Sequence, residues 1–255
     1  MNDRSYSFSS MSTSRAPKEM PQRKVSERRR RPTSPSVIQW VNLPLQERSR
    51  LKLDRIVAAF EKLVAERGLD GATVADIARE AGCSVGAFYT RFKDKGDLFR
   101  YVVLHHLEEG LLTLRGLVTG EGWKEADTET IISSIITLVV ELHRRHEGFL
   151  RAFYEHAHKD PVVIAHLSKA GVELEDVLFA ILSERKDEIS HPNPRVAVGF
   201  AVRMVMGTMQ FRSLMAPHTP KETHFAWSTW AEEMTASLIA YLGVRAPEPQ
   251  QPLSE

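Results

Sequence analysis

A single cysteine, Cys83, stands in a chain of 255 residues, so no internal disulfide and no cysteine-paired metal site can form. A lone thiol in a short turn reads as a small packed side chain rather than a redox switch. It fits a reducing compartment, and a cytoplasmic location is expected. Long apolar runs are also missing. The best candidate, residues 131–142, is interrupted by Ser133, Ser134 and Thr137. It falls short of the roughly 20 residues that cross a bilayer, so no membrane partner is expected. The basic N-terminus has no apolar segment behind it and does not read as a secretory signal. No Gly-rich phosphate loop, G-x-S-x-G elbow or H-E-x-x-H helix occurs, so neither catalysis nor a cofactor is expected.

Net charge is nearly absent overall, with 34 basic against 33 acidic side chains, but the two signs are segregated. Residues 1–47 hold nine basic and four acidic groups, a net of +5. Residues 48–101 hold eleven and eight, a net of +3, and residues 102–255 hold fourteen and twenty-one, a net of −7. A positive end on a negative body is the electrostatic arrangement that phosphate binding requires.

Residues 73–95, TVADIAREAGCSVGAFYTRFKDK, give that positive end a shape. Thr73 precedes Val74, Ile77, Ala78 and Ala81 at helical spacing, with Asp76 placed for a reciprocal cap. Gly82 supplies the left-handed residue that ends this helix. Ser84 then caps a second helix whose inward stripe is Val85, Phe88 and Phe92. Gly86, Ala87, Tyr89, Thr90 and Arg91 are left outward. Asp94 and Asp97 repeat the capping pattern and place Lys95 in the first turn of the next helix. A cation there opposes the helix dipole until an anion arrives, when backbone N–H groups and the ammonium converge on it. Two short helices about a tight turn suit a helix-turn-helix.

These residues resemble the tetracycline-repressor-like (TetR) transcriptional regulators. The matching positions are the Thr73-led helix, then Ser84, Gly86, Phe88, Tyr89, Phe92, Lys95 and Leu98. The likeness is specific over residues 49–103 and thins to helix count and order beyond. It implies that Thr73, Tyr89 and Lys95 hold backbone phosphates of a double-stranded operator, beside the Ser84 cap. Val85, Gly86, Ala87, Thr90 and Arg91 would face base edges. Gly86 and Ala87 offer little beyond close approach or methyl contact, which leaves direct readout to Thr90, Arg91 and DNA shape. The resemblance further implies a homodimer built on the last two helices. It also implies a small-molecule effector among helices 4, 5, 7 and 8. Around that site we expect Leu107, Leu111, Ile135, Leu138, Phe153, Tyr154, Val177, Ile181 and Met204, a set suited to an apolar or aromatic compound.

The fold expected is all-α: a three-helix DNA-binding head followed by a larger helical bundle for effector binding and dimerisation. Residues 1–47 read as a disordered basic extension, because Ser, Pro and Arg dominate and little apolar surface is available to offset ordering entropy. Its run of arginines at 28–31 suits a phosphate-tracking arm, and residues 37–45 carry apolar groups that can pack loosely on the head. The head spans 48–101, the bundle 102–243, and a flexible tail 244–255. Helix 1 is expected from Glu47 to a stop at Gly68, and helix 4 from Asp97 to Val118. A glycine loop follows at Gly116, Gly120 and Gly122. The later helices are expected at about 125–145, 161–189, 195–215 and 221–242. The first of these is apolar almost all round, which suits the centre of a bundle.

Ten histidines raise a second class of function: a helical small-molecule or metal-binding protein, a metal-dependent enzyme included, with a relict helix-turn-helix. Within the His-rich stretch 143–166 only Glu155 and His158 have the Glu-x-x-His spacing of a bundle metal site. Arg144, Arg145, Arg151 and Lys159 around them mark a wet face, and no metal is expected. The charge segregation and Lys95 favour the regulator.

Overall fold

A computed structural model of the chain describes residues 40–41, 47–118, 123 and 125–245. The readings of the basic arm, of the loop at Gly120 and Gly122, and of the tail beyond 245 lie outside these residues, whereas Gly116, expected in that loop, lies within the helix Lys95–Val118. Among the described residues the chain is helical, with one isolated antiparallel bridge, Ile189 to Val244, in place of any strand. The helices are α1 Glu47–Gly71, α2 Val74–Glu80, α3 Val85–Tyr89, α4 Lys95–Val118 and α5 Thr128–Arg145. Then come α6 Glu147–Ala157, α7 Pro161–Ser183, α8 Pro194–Met215 and α9 Trp227–Leu242.

Local chemistry sets most of these ends. Asp127 accepts the Thr130 amide at 2.8 Å, and Asp160 and Asn193 cap α7 and α8, each with a proline following at the first helical position. Gly243, left-handed at φ 62°, closes α9. Four bounds differ from expectation. Gly68 does not stop α1 but breaks it, at φ 73° and ψ 171°, before a last turn to Gly71. Helix α4 starts at Lys95 because Asp94 caps it, accepting the Asp97 amide at 2.8 Å. Helix α7 stops at Ser183: Arg185 turns away to the carbonyls of Trp123 and Ala126, and a short 3-10 turn leads to the bridge at Ile189. Residues 221–226 form a 3-10 turn and an extended link, so α9 begins only at Trp227.

The buried side chains form two clusters. The first gathers Ile56, Phe60 and Val64 of α1, Ile77 of α2, Phe88 of α3, Phe92, and Leu98 and Val102 of α4. It also takes in Phe149 and Phe153 of α6 and Val163 of α7. Trp40 and Val41 pack onto it, with the Arg100 guanidinium 4.9 Å from the Trp40 ring. Helix α6 lies on α1 with no room to spare, since a Cβ at Gly148 would fall 2.7 Å from the Ala65 Cβ. The second cluster is aliphatic, joining Ile132, Ile136 and Val140 of α5 to Val198, Ala201, Val205 and Met209 of α8 and to Met234, Leu238 and Leu242 of α9. Helix α5 is not surrounded as its composition suggested: Leu142 is 45% exposed and Leu138 faces solvent beside it.

Candidate nucleic-acid interface

The two short helices of the head are fixed by side chains that satisfy their free amides. Thr73 Oγ1 accepts the Asp76 amide at 3.1 Å and donates to the Asp76 carboxylate at 2.7 Å. That donated hydrogen bond, seconded by Arg79, holds the Asp76 carboxyl below the usual range. Gly82, at φ 63°, turns the chain where a Cβ is poorly tolerated. Ser84 Oγ then accepts the Ala87 amide at 3.1 Å and starts α3. Phe88 is fully buried and packs on Phe92, which in turn meets Tyr101 of α4. An aromatic anchor under so short a helix fixes its roll, and so decides which side chains leave the protein.

The face so presented departs from the helical spacing at Val85, which that spacing puts on the inward stripe but which stands outward on the first turn, because Phe88 alone anchors so short a helix. Val85 is 42% exposed and Tyr89 53%, with Ser84, Gly86 and Thr90 exposed and Ala87 half-buried. Arg91 departs from the outward set. It is only 9% exposed, and its Nη1 donates to the Ala87 carbonyl at 3.1 Å and to Thr90 Oγ1 at 3.2 Å. Thr90 Oγ1 itself donates to the Ala87 carbonyl at 2.8 Å. The physical reason is that α3 ends at Tyr89, with Thr90 as its C-cap. Beyond that point the helical spacing that would carry Arg91 outward no longer applies. Lys95 is half-buried at the start of α4, and its Nζ donates to the Leu69 carbonyl in the last turn of α1 at 2.6 Å.

The nine residues expected around an effector are not brought together. Ile135 and Ile181 line a cavity of about 80 Å³ between α5 and α7, over α8 and α9. Its wall is aliphatic side chains and Met206. Leu107, Phe153 and Tyr154 belong to the first cluster, Leu138 faces solvent, and Met204 packs on the second cluster outside the cavity wall. Leu111 and Val177 are half-buried and stand apart from that wall. The described part of α4 nearest the head is consumed in the first cluster, so α9 replaces it with Leu238 and Leu242. Those two, with Leu174 and Leu178, were missed because cavity and core use the same residue types.

The histidines find ordinary partners. The Nδ1 atoms of His143, His156 and His166 each bond to the carbonyl four residues earlier, at 2.8, 2.9 and 2.8 Å. A carbonyl only accepts, so His143 Nδ1 carries the proton and Nε2 accepts the Tyr154 hydroxyl at 3.0 Å. Burial holds the His143 imidazole below its ordinary range and pushes the Tyr154 phenol up to about 12. Glu155 and His158 are both exposed, and among the described residues no three potential ligands gather for a metal. No helix among them is long and apolar enough to cross a membrane.

A capped helix pair presenting an exposed face beside a lysine, on a helical bundle, defines a helix-turn-helix protein of two functional parts. Residues 56–102 match the model of bacterial regulatory proteins of the tetR family, and residues 127–242 match the tetracyclin repressor-like C-terminal domain. The chain belongs to the TetR family, and it is a DNA-binding transcriptional regulator. A curated relative, the nucleoid occlusion factor SlmA of Actinobacillus pleuropneumoniae serotype 5b (strain L20), is 24% identical over 184 residues, covering 71% of this chain and 87% of its own. Among solved structures, the transcriptional regulator FadR of Bacillus subtilis, in complex with stearoyl-CoA, aligns with a TM-score of 0.57 at 18% identity. That alignment covers 74% of this chain and 98% of FadR. NalD of Pseudomonas aeruginosa, the secondary repressor of the MexAB-OprM multidrug efflux pump, aligns with a TM-score of 0.59 at 19% identity, covering 77% and 98%. At such identities the two structures speak for the fold alone.

Proposed function

We propose that the protein is a homodimeric, cytoplasmic repressor whose two heads bind the half-sites of a palindromic operator and are released by a small apolar effector. The observation that carries the reading is α3 itself, rolled by buried Phe88 so that Val85, Gly86 and Tyr89 stand clear of the head. Thr73, Ser84, Tyr89 and Lys95 grip phosphates around it. A lysine ammonium has three donors, so Lys95 can meet a phosphate while keeping the Leu69 carbonyl.

The pairing surface is α8 with α9. Val196, Phe200 and Phe211, the last 64% exposed, fall on one stripe of α8. Gly207 lies on the same stripe with open space before it, which suits close approach of a second helix. The effector site is the aliphatic cavity between α5 and α7. At about 80 Å³ it is smaller than the roughly 150 Å³ apolar cavity that takes benzene, so an occupant must widen it. Widening moves the helices that floor the cavity, α8 and α9, on which the spacing of the heads depends. A ligand that prefers the widened dimer lowers operator affinity by that preference. FadR, which shares the fold, was crystallised with stearoyl-CoA, a ligand with a long apolar acyl chain.

Retention of the purified protein on duplex DNA through a salt titration, with and without small apolar compounds, tests the reading. Tight retention at low salt, lost on adding such a compound, is expected. Lys95→Ala weakens all sequences alike and reduces the salt slope by about one. Indifference to every duplex at low salt would remove the regulator mechanism.

A further inference from the structure

We propose that α3 reads its operator chiefly through thymine C5-methyl groups, with Val85 and the methyl of Thr90 as the specificity-determining contacts. The proposal rests on the DNA-reading role of α3 given above. Base edges in the major groove are told apart by hydrogen-bond patterns and by the thymine methyl. Between Ser84 and Arg91 only three side chains besides Tyr89 can hydrogen-bond at all, and each is committed. Ser84 Oγ caps the helix on the Ala87 amide, and its own hydroxyl proton is the donor assigned above to a phosphate. The single hydroxyl proton of Thr90 goes to the Ala87 carbonyl, and its oxygen accepts from Arg91. The Arg91 guanidinium lies against the C-terminal turn of α3, so it is not extended to pair bidentately with a guanine.

What α3 presents is therefore apolar: the Val85 isopropyl group, the bare backbone of Gly86, the Ala87 methyl, and the carbon branch of Thr90. Val85 is 42% exposed on the first turn, the part of a reading helix that meets base edges. Gly86 lacks a side chain that would hold the helix off the groove floor. Methyl against methyl is the contact this surface can make, and thymine alone of the four bases supplies the partner. Arg91 acts as a positioning residue that ties Thr90 and Ala87 together.

The test begins by selecting operator fragments with the full-length protein. Each thymine in a half-site is then replaced in turn by deoxyuridine, which keeps every hydrogen-bonding atom and loses only the methyl. Affinity is expected to fall about fourfold at each contacted thymine, the effect of one lost buried methyl. In Val85→Ala that discrimination between thymine and deoxyuridine disappears at one position, while the roughly fourfold discrimination at the other contacted thymines is kept. A folding defect would lower both affinities together. Replacing guanines by 7-deazaguanine, which removes N7, is expected to leave binding unchanged. Arg91→Ala should lower affinity for all sequences without altering base preference. Equal binding of thymine and deoxyuridine operators, or a tenfold 7-deazaguanine loss that Arg91→Ala abolishes, overturns methyl reading while DNA binding stands. Failure to retain any duplex at low salt overturns the DNA-reading role and this proposal with it.

Discussion

The two hydrophobic clusters are built by different rules. The first is aromatic and closed: Phe60, Phe88 and Phe92 are essentially inaccessible, and α6 meets α1 with no space for a Cβ at Gly148. The second is aliphatic, holds a cavity of about 80 Å³, and leaves Leu138, Leu142, Phe200 and Phe211 facing outward. Interiors packed to crystal-like density transmit displacement, whereas a cavity lets helices shift before contacts are lost. The contrast assigns rigidity to the head and its seat on α6, and adjustability to the helices proposed to hold effector and partner.

The largest expected effect lies in the closed cluster. Phe60→Ala should cost about 3–5 kcal/mol in urea unfolding at unchanged slope, while Leu178→Ala at the rim of the cavity should cost much less. Equal losses would erase the distinction. Glycines give opposite signs. Gly148→Ala should destabilise by about 1–3 kcal/mol because the new methyl meets Ala65, whereas Gly171→Ala on α7 has open space and should gain up to about 1 kcal/mol. Thermal midpoints of the pair decide it, and a loss at both positions would mean that α7 is packed as tightly as α6. Next is cavity filling: Val205→Leu should raise stability by about 0.5–1 kcal/mol and block release of DNA by apolar compounds. Destabilisation instead would show that the space is not there in solution.

The smallest effect is a pH dependence between the two regions, at His143 of α5 bonded to Tyr154 of α6. Burial depresses the imidazole below its ordinary value of 6.5. The unfolded chain therefore binds a proton more readily than the folded one, and stability rises with pH. The contribution is complete above about pH 6.5 and is lost as the pH falls through the lower folded value. His143→Gln should flatten stability against pH on that acid side; an unchanged slope would place the proton uptake elsewhere.

What was legible in the sequence is what is local. The caps at Thr73, Ser84 and Asp94 and the left-handed turn at Gly82 lie within a few residues of the groups they satisfy, so residue types alone expose them. Arg91 was misplaced because a helical wheel does not say where a helix ends, and one residue past the C-cap its side chain turns back. The residues expected around an effector fail to share one cavity for another reason. Ile135, Leu138 and Phe153 are alike in composition, and only the distances between helices decide which borders a void. Arg100 carried no signal at all, yet it bridges Asp160 at the start of α7 and Asp97 on its own helix while lying over Trp40.

Lys95 already spans from the first turn of α4 to the end of α1 before any nucleic acid is present. Its long side chain has therefore surrendered most of its rotational freedom during folding, a loss of up to about 2 kcal/mol that a dangling lysine would meet only on contact with a duplex. Encounter then requires no rearrangement of that arm. With a phosphate held as proposed, the strut would join it to the turn just after the Gly68 break, and pulling on the operator would load α1 at its irregular joint.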